Sequence, residues 1–162
     1  MDFNLTENQQ MILEMTRDFA KKEVLPYRNE WDEKEHFPVD VLKKAGELGL
    51  LGVLVPEEYG GSGMGYLEYV CVLTELGKVC GGFGLSVAAH NSLCIGHILQ
   101  HGNEAQKNKY LPALASGEHI GAWGLTEPNT GSDAMRMLCV AKKEGIEWVI
   151  NGLKTWITHA LS

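Results

Sequence analysis

The sequence has no cysteine pair at CxxC or zinc-ribbon spacing, no run of lysine and arginine longer than two, and no basic opening followed by an apolar stretch. Each absence excludes a class. Cys71, Cys80, Cys94 and Cys139 read as reduced thiols of a cytosol-like compartment, not as a disulfide or zinc framework. With 14 basic residues against 21 acidic ones, the net charge is −7. A nucleic-acid backbone is repelled by such a surface, and no local basic patch offsets it. The start, Met1-Asp2-Phe3-Asn4, lacks the form of a secretory signal. From Val79 to Asn103 there is no Lys, Arg, Asp or Glu, but the segment holds His90, Asn91, Ser92, His97, Gln100 and His101. A spanning helix needs about 20 mostly apolar residues. A helix buried on most sides within a soluble protein fits better, and no membrane insertion is expected.

What is present is the composition of a folded chain. Hydrophobic residues are 44% and charged residues 22%, near globular averages of about 45–50% and about 25%. A chain of this length buries roughly two thirds of its unfolded surface and needs no disulfide or metal to hold it. Nineteen of the 162 residues are glycine, above the usual share of about 7%, so tight turns or close backbone approaches should follow.

Up to Glu118 the pattern is helical. Thr6-Glu7-Asn8-Gln9 has the form of a capping box. Ile12, Met15, Phe19 and Lys22 follow at helical spacing, and Pro26 falls near the end. A second helix starts at Pro38, with Val41, Leu42, Ala45 and Leu48 on one face, and stops between Gly49 and Pro56. A third, with Leu67, Val70, Leu73, Thr74 and Leu76, follows the loop Gly60-Gly61-Ser62-Gly63-Met64-Gly65. The fourth is the uncharged stretch from about Leu85 to Gln100. Asn103 and Gln106 cap a fifth that runs to Ser116-Gly117. Beyond Glu118 the texture becomes strand-like: Ile120 to Thr126, Met137 to Lys142, Glu147 to Ile150 and Lys154 to Thr158. Lys143-Glu144-Gly145 and Asn151-Gly152 mark the turns. The expected fold is α+β. An all-helical domain of about five helices over residues 1–118 leads into the first strands of an incomplete β-domain over 119–162. A sheet just begun, with an open edge, is a poor place for a domain to finish.

Several chemical motifs fail on inspection. The Gly60–Gly65 loop has neither GxGxxG nor GxxxxGK[ST] spacing and reads as a turn between helices. His97 and His101 share a helix face, but the HExxH glutamate and an evident third ligand are missing. Both read as polar members of a mostly buried helix, as does His90. No GxSxG elbow is present and no cysteine has an obvious histidine partner in sequence. The stretch Trp123-Gly124-Leu125-Thr126-Glu127-Pro128-Asn129-Thr130-Gly131-Ser132-Asp133 differs in kind. It places an aromatic and a hydroxyl at a strand end, then a loop able to offer N–H groups and a serine to an anion. Lys154-Thr155-Trp156-Ile157-Thr158 repeats the pairing, and strand alternation would put Trp156 and Thr158 on one face. Two such strand ends suit a flat heteroaromatic cofactor. They suit equally well tryptophans in a sheet core and threonines as strand formers.

Leu125-Thr126-Glu127-Pro128, Gly131-Ser132-Asp133 and Lys154-Thr155-Trp156-Ile157-Thr158 together resemble the acyl-CoA dehydrogenase family. Val55-Pro56-Glu57-Glu58-Tyr59-Gly60-Gly61 and Leu5-Thr6-Glu7 fit the same family, and the likeness runs the length of the chain in order. The resemblance implies an N-terminal helical domain, a middle β-domain and a C-terminal helical bundle, with FAD between the last two. It makes Trp123, Gly124, Leu125, Thr126, Gly131, Ser132, Trp156, Ile157 and Thr158 the cofactor-binding residues of this chain. Thr126 would bond the pyrimidine side of the flavin, and Ser132 would touch both the FAD pyrophosphate and the acyl-CoA. Trp156 would pack on the isoalloxazine, and Thr158 would donate near N5.

The implied reaction takes acyl-CoA to trans-2-enoyl-CoA by α-proton abstraction and hydride transfer to flavin N5. The family's base is a glutamate beyond the β-domain, so no catalytic residue and no metal ligand is assigned here. Glu127 and Asp133 are implied to shape the loop. Thr130, Arg136 and His159 stand where the family usually has other residues. The fragment itself is expected to be inactive. For the full-length protein the resemblance implies an electron-transfer flavoprotein as acceptor, a homotetramer, a role in fatty acid metabolism, and a cytoplasmic location or the mitochondrial matrix in a eukaryote. The alternatives are a related flavin oxidase or monooxygenase of the same fold, and a non-catalytic helical binding module.

Overall fold

The computed structural model describes residues 4–160; the Met1–Phe3 start and the Leu161-Ser162 end lie outside the described residues. Helix α1 (Glu7–Phe19) begins at the capping box expected of it. Gln9 N–H donates to Thr6 Oγ1 at 3.3 Å and Thr6 N–H donates to Gln9 Oε1 at 3.0 Å. One wide π-turn, Ala20–Val24, extends it, and a short helix α2 (Arg28–Glu33) follows. Sequence periodicity misses α2 because Trp31 is its only apolar residue and none of its side chains is fully buried. Helix α3 (Val39–Glu47) buries Val41, Leu42 and Ala45, while Leu48, just past its end, is half exposed.

The glycine loop folds back on the chain before it. Amides of Ser62, Gly63 and Met64 donate to the carbonyls of Gly52, Val55 and Val53. Those N–H groups are spent inside the protein, which explains why the loop makes no phosphate cradle. Helix α4 (Tyr66–Val79) packs on α1 and on α5 (Gly81–Ala88). Its buried face is Tyr69, Val72 and Leu76, with Cys71 and Glu75, whereas Leu67 and Val70 face outward. Apolar residues on both faces of α4 hide its inner side from a pattern search. Arg17 of α1 donates to the buried Glu75 carboxylate at 2.9 Å, and Lys78 reaches the same group at 2.6 Å. The Arg17 hydrogen bond, ahead of all other influences, keeps that carboxyl below its ordinary pKa.

The uncharged stretch is one continuous rod: α5, a π-segment (Ala89–Ile95) and α6 (Gly96–His101). The widening has a local cause. Asn91 Nδ2 donates to Val87 O at 3.1 Å and Ser92 Oγ donates to Ala88 O at 2.7 Å, so side chains compete for carbonyls that an α-helix would use. Helix α7 (Glu104–Ala115) starts at a second capping box, Asn103 with Gln106, both bonds at 2.9 Å. Among the described residues no helix is long and apolar enough to cross a membrane. All four cysteines are free thiols.

The strand-like part is smaller than its pattern suggests. Strands β1 (Val140–Glu144) and β2 (Glu147–Asn151) form one antiparallel hairpin, with Val140 opposite Asn151 and Glu144 opposite Glu147. Gly145, at φ 64°, makes the turn. Residues 120–126 and 154–158 form no ladder among the described residues. A single backbone bond joins them, Thr155 N–H to Thr126 O at 2.8 Å. Their strand-like composition lacks the partner that regular pairing requires.

His90, in the π-segment, is wholly buried. Its Nε2 lies 3.0 Å from the carbonyl of Leu114, and its Nδ1 lies 2.9 Å from the amide of Gly121. A carbonyl only accepts and an amide only donates, so the ring is neutral with its proton on Nε2. Burial pushes its pKa down from 6.5 to about 4. Between those values the unfolded chain holds a proton that the folded chain lacks, so stability falls as pH drops through the window. The full loss is about 3 kcal/mol. Urea denaturation at about pH 7 and about pH 5 should show part of this loss. The His90→Gln variant should show a smaller difference; equal pH dependence in both proteins would contradict the assignment.

Candidate functional site

The loop after Leu125 is organised around one carboxylate. Thr126-Glu127-Pro128-Asn129-Thr130 closes a tight turn: Glu127 N–H donates to Thr130 O at 2.8 Å and Thr130 N–H returns to Glu127 O at 3.1 Å. Glu127 is only 5% exposed. It accepts from Leu138 N–H at 2.6 Å, Cys139 N–H at 2.9 Å and Lys154 Nζ at 2.9 Å. The Lys154 hydrogen bond comes first, with those backbone amides, in holding its carboxyl below the ordinary range. Lys154 also donates to Leu125 O at 2.9 Å. Two distant stretches, 125–139 and 154–158, are thereby joined through a partly buried ion pair.

Around this clamp most of the residues named from the sequence come together. A side chain on Gly124 would meet Lys154 Cγ at 3.3 Å and Ile157 Cδ1 at 3.7 Å, and Gly131 lies over the Thr126 methyl. The hydroxyls of Thr126, Ser132 and Thr158 make no hydrogen bond within the described residues. Trp156 stands 92% exposed at φ 59°, a left-handed backbone that costs a non-glycine residue about 1–3 kcal/mol. Trp123 is placed differently: its ring lies 4.9 Å from that of His97 in α6. Gly131 has an ordinary backbone and only the Thr126 methyl, at 3.8 Å, near a would-be Cβ. Nothing inside the chain requires a glycine there, whereas a ligand approaching the backbone would.

Two readings change. The alternation that would place Trp156 and Thr158 on one strand face does not hold. The backbone turns left-handed at Trp156 and again at His159, and Ala160 N–H closes onto Ile157 O at 3.2 Å. His97 and His101 lie exposed on α6, which has no fully buried residue and so is not the mostly buried helix expected, and His97 Nδ1 is engaged with Leu93 O. Among the described residues no group of three or more His, Cys, Asp or Glu is placed to hold a metal ion. Asp133 ion-pairs with Arg136 at 3.0 Å on the surface. Pattern reading passes over Lys154 and His159 as site residues. A lysine or histidine on a strand-like stretch carries no local signal of a partner some 30 residues away.

This arrangement can be set beside known proteins. The model of the acyl-CoA dehydrogenase N-terminal domain matches residues 6–118, and that of the acyl-CoA dehydrogenase middle domain matches residues 122–162. The chain belongs to the acyl-CoA dehydrogenase family. It is 50% identical over 159 residues to the short-chain specific acyl-CoA dehydrogenase of Clostridium acetobutylicum, covering 98% of this chain and 42% of that one. A chain solved in work on the electron transferring flavoprotein of Acidaminococcus fermentans superposes with a TM-score of 0.94 at 44% identity, over 97% of this chain and 41% of that one. An acyl-CoA dehydrogenase complexed with FAD, from Bacillus anthracis, gives a TM-score of 0.85 at 42% identity, over 95% of this chain and 27% of that one. The chain therefore spans less than half the length of these relatives.

Removing the carboxylate should release both stretches, since Glu127→Ala leaves two amides and an ammonium without their acceptor. The expected outcome is a lower melting temperature and faster amide exchange at Leu138 and Cys139. Unchanged exchange at those amides would show that the clamp does not hold the loop.

Proposed function

We propose that this chain supplies the helical domain (1–118) and the opening of the β-domain (119–162) of an FAD-dependent acyl-CoA dehydrogenase. The observation that carries this reading is the strip beside the Glu127–Lys154 clamp. Three hydroxyls without an internal partner and an indole held in solvent lie along connected backbone. Exposing a large aromatic in a strained conformation is unfavourable unless a flat partner covers it. FAD, when bound, supplies the hydride acceptor for oxidation of acyl-CoA to trans-2-enoyl-CoA. Thr126, Gly131, Ser132 and Thr158 would hold the flavin through hydroxyls and close backbone approach, with Gly124, Leu125 and Ile157 fixing that backbone. Trp156 would cover the ring face, and Ser132 would also meet the acyl-CoA. Trp123 would brace the strip against α6. Neutral donors fixed in advance at the edge of a ring that gains negative charge stabilise that charge without reorganisation.

The α-proton needs a base from elsewhere in the longer protein. Glu127 is buried with three donors, and Asp133 is bound to Arg136. An electron-transfer flavoprotein as acceptor, a homotetrameric assembly and a cytoplasmic or mitochondrial-matrix location complete the proposal. The first is supported by the source of one similar solved chain. Exposed apolar side chains on the hairpin, Ile146, Trp148 and Ile150 among them, suit further covering structure in the longer protein.

The full-length protein should purify with visible flavin absorption, and that band should bleach when a saturated acyl-CoA is added without oxygen. Thr126→Val should weaken FAD retention about tenfold, the effect of one lost hydrogen bond to a ligand of this kind. A flavin-free protein, or a flavin that no acyl-CoA bleaches, would refute the reading. Steady acyl-CoA oxidation by the 162-residue chain alone would refute the absence of a base.

A further inference from the structure

Gly121 sits between the helical part and the strip, and two imidazoles hold its backbone. Its N–H donates to His90 Nδ1 at 2.9 Å, and its carbonyl lies 2.8 Å from His159 Nδ1. Because a carbonyl only accepts, His159 carries a proton on Nδ1, whereas His90 carries its proton on Nε2. The two rings thus hold opposite tautomeric demands on one residue. Gly121 has no room for anything larger, as a Cβ would come within 2.5 Å of Cys94 Sγ and 2.8 Å of Cys94 Cβ. The His159 ring also packs on Phe37, 5.2 Å between centroids, just before α3. His159 follows Thr158 directly and has a left-handed backbone at φ 69°. Its side chain is therefore the tie that fixes the turn carrying Trp156 and Thr158 to the buried π-segment.

We propose that His90 and His159 are positioning residues that, through Gly121, set the height and tilt of the Trp156–Thr158 strip against the helical core. The inference rests on the flavin-site reading given above, since the strip is what they would aim. Neither imidazole need touch the cofactor. His90 fixes Gly121 from the helical side, and His159 fixes the strip to Gly121 from the other. A carboxamide at position 159 has an N–H that can replace the imidazole donor; an aliphatic side chain does not.

The test uses the full-length protein loaded with FAD, comparing wild type, His159→Leu and His159→Asn. Two readouts are taken: hydrogen–deuterium exchange over residues 119–123, and the shape of the visible flavin spectrum together with FAD retention. His159→Leu should speed exchange at 119–123, change the spectrum and weaken retention by up to about tenfold, the ceiling for one internal hydrogen bond acting through the strip. His159→Asn should restore both. Should His159→Leu fail to fold, His159→Phe, which keeps a ring against Phe37 but has no donor for Gly121 O, is read the same way. Faster exchange with an unchanged flavin spectrum and retention would overturn the positioning role and leave the flavin reading intact. Wild-type protein that takes up no FAD would overturn the flavin reading and this inference with it. Unchanged exchange in a folded His159→Leu would overturn the clasp itself.

Discussion

The pair of a buried Glu127 carboxylate and a half-buried Lys154 is the constraint on which the candidate site depends. Outside the β1–β2 hairpin, the stretches 120–139 and 154–160 have no sheet ladder to hold them. One backbone bond, Thr155 to Thr126, crosses between 125–127 and 154–156. Most of the remaining order near Thr126 comes from a carboxylate that accepts three hydrogen bonds and an ammonium that donates to Leu125 O as well, while His159 ties the far end to Gly121. Burying a charge pair is costly unless the geometry satisfies both partners, and here each has more than one. The return on that cost is definition: Thr126 and Gly131 on one side, Trp156 to Thr158 on the other, at fixed separation.

The helical part works differently. Its order comes from apolar burial around Phe19, Leu42, Leu51, Val72, Leu76 and Val87, with the Arg17–Glu75 pair tying α1 to α4. Such a core tolerates two wide turns, Ala20–Val24 and Ala89–Ile95, and at the second the side chains of Asn91 and Ser92 bond the carbonyls of Val87 and Ala88. Rigidity lies in the helices, while strain and exposure are concentrated at Trp156 and His159. That division is common where a binding surface is mounted on a stable frame.

What could be read from the residues follows the range of the interactions. Both capping boxes are legible because a side chain and an amide three residues apart settle them. Helix α2 is not, since a single tryptophan makes no period. The outward turn of Leu67 and Val70 is hidden because α4 is apolar on both sides and only its neighbours choose between them. The residues proposed for the strip are named from the family resemblance and fixed by no local pattern. The devices that place it are not legible: Glu127 with Lys154, His159 with Gly121, and His90 with Gly121 all join positions about 30 residues or more apart. Strand alternation fails at Trp156 because the backbone there obeys a tie to Gly121 and not a ladder.

The most direct measurement is a crystal structure of the full-length protein with FAD bound. The account predicts the isoalloxazine lying against Trp156, with Thr126 and Thr158 at its edges, Ser132 on the pyrophosphate, and the Glu127–Lys154 pair unchanged beneath. A flavin bound away from Trp156, with the Thr126 and Thr158 hydroxyls turned to other partners, would contradict it.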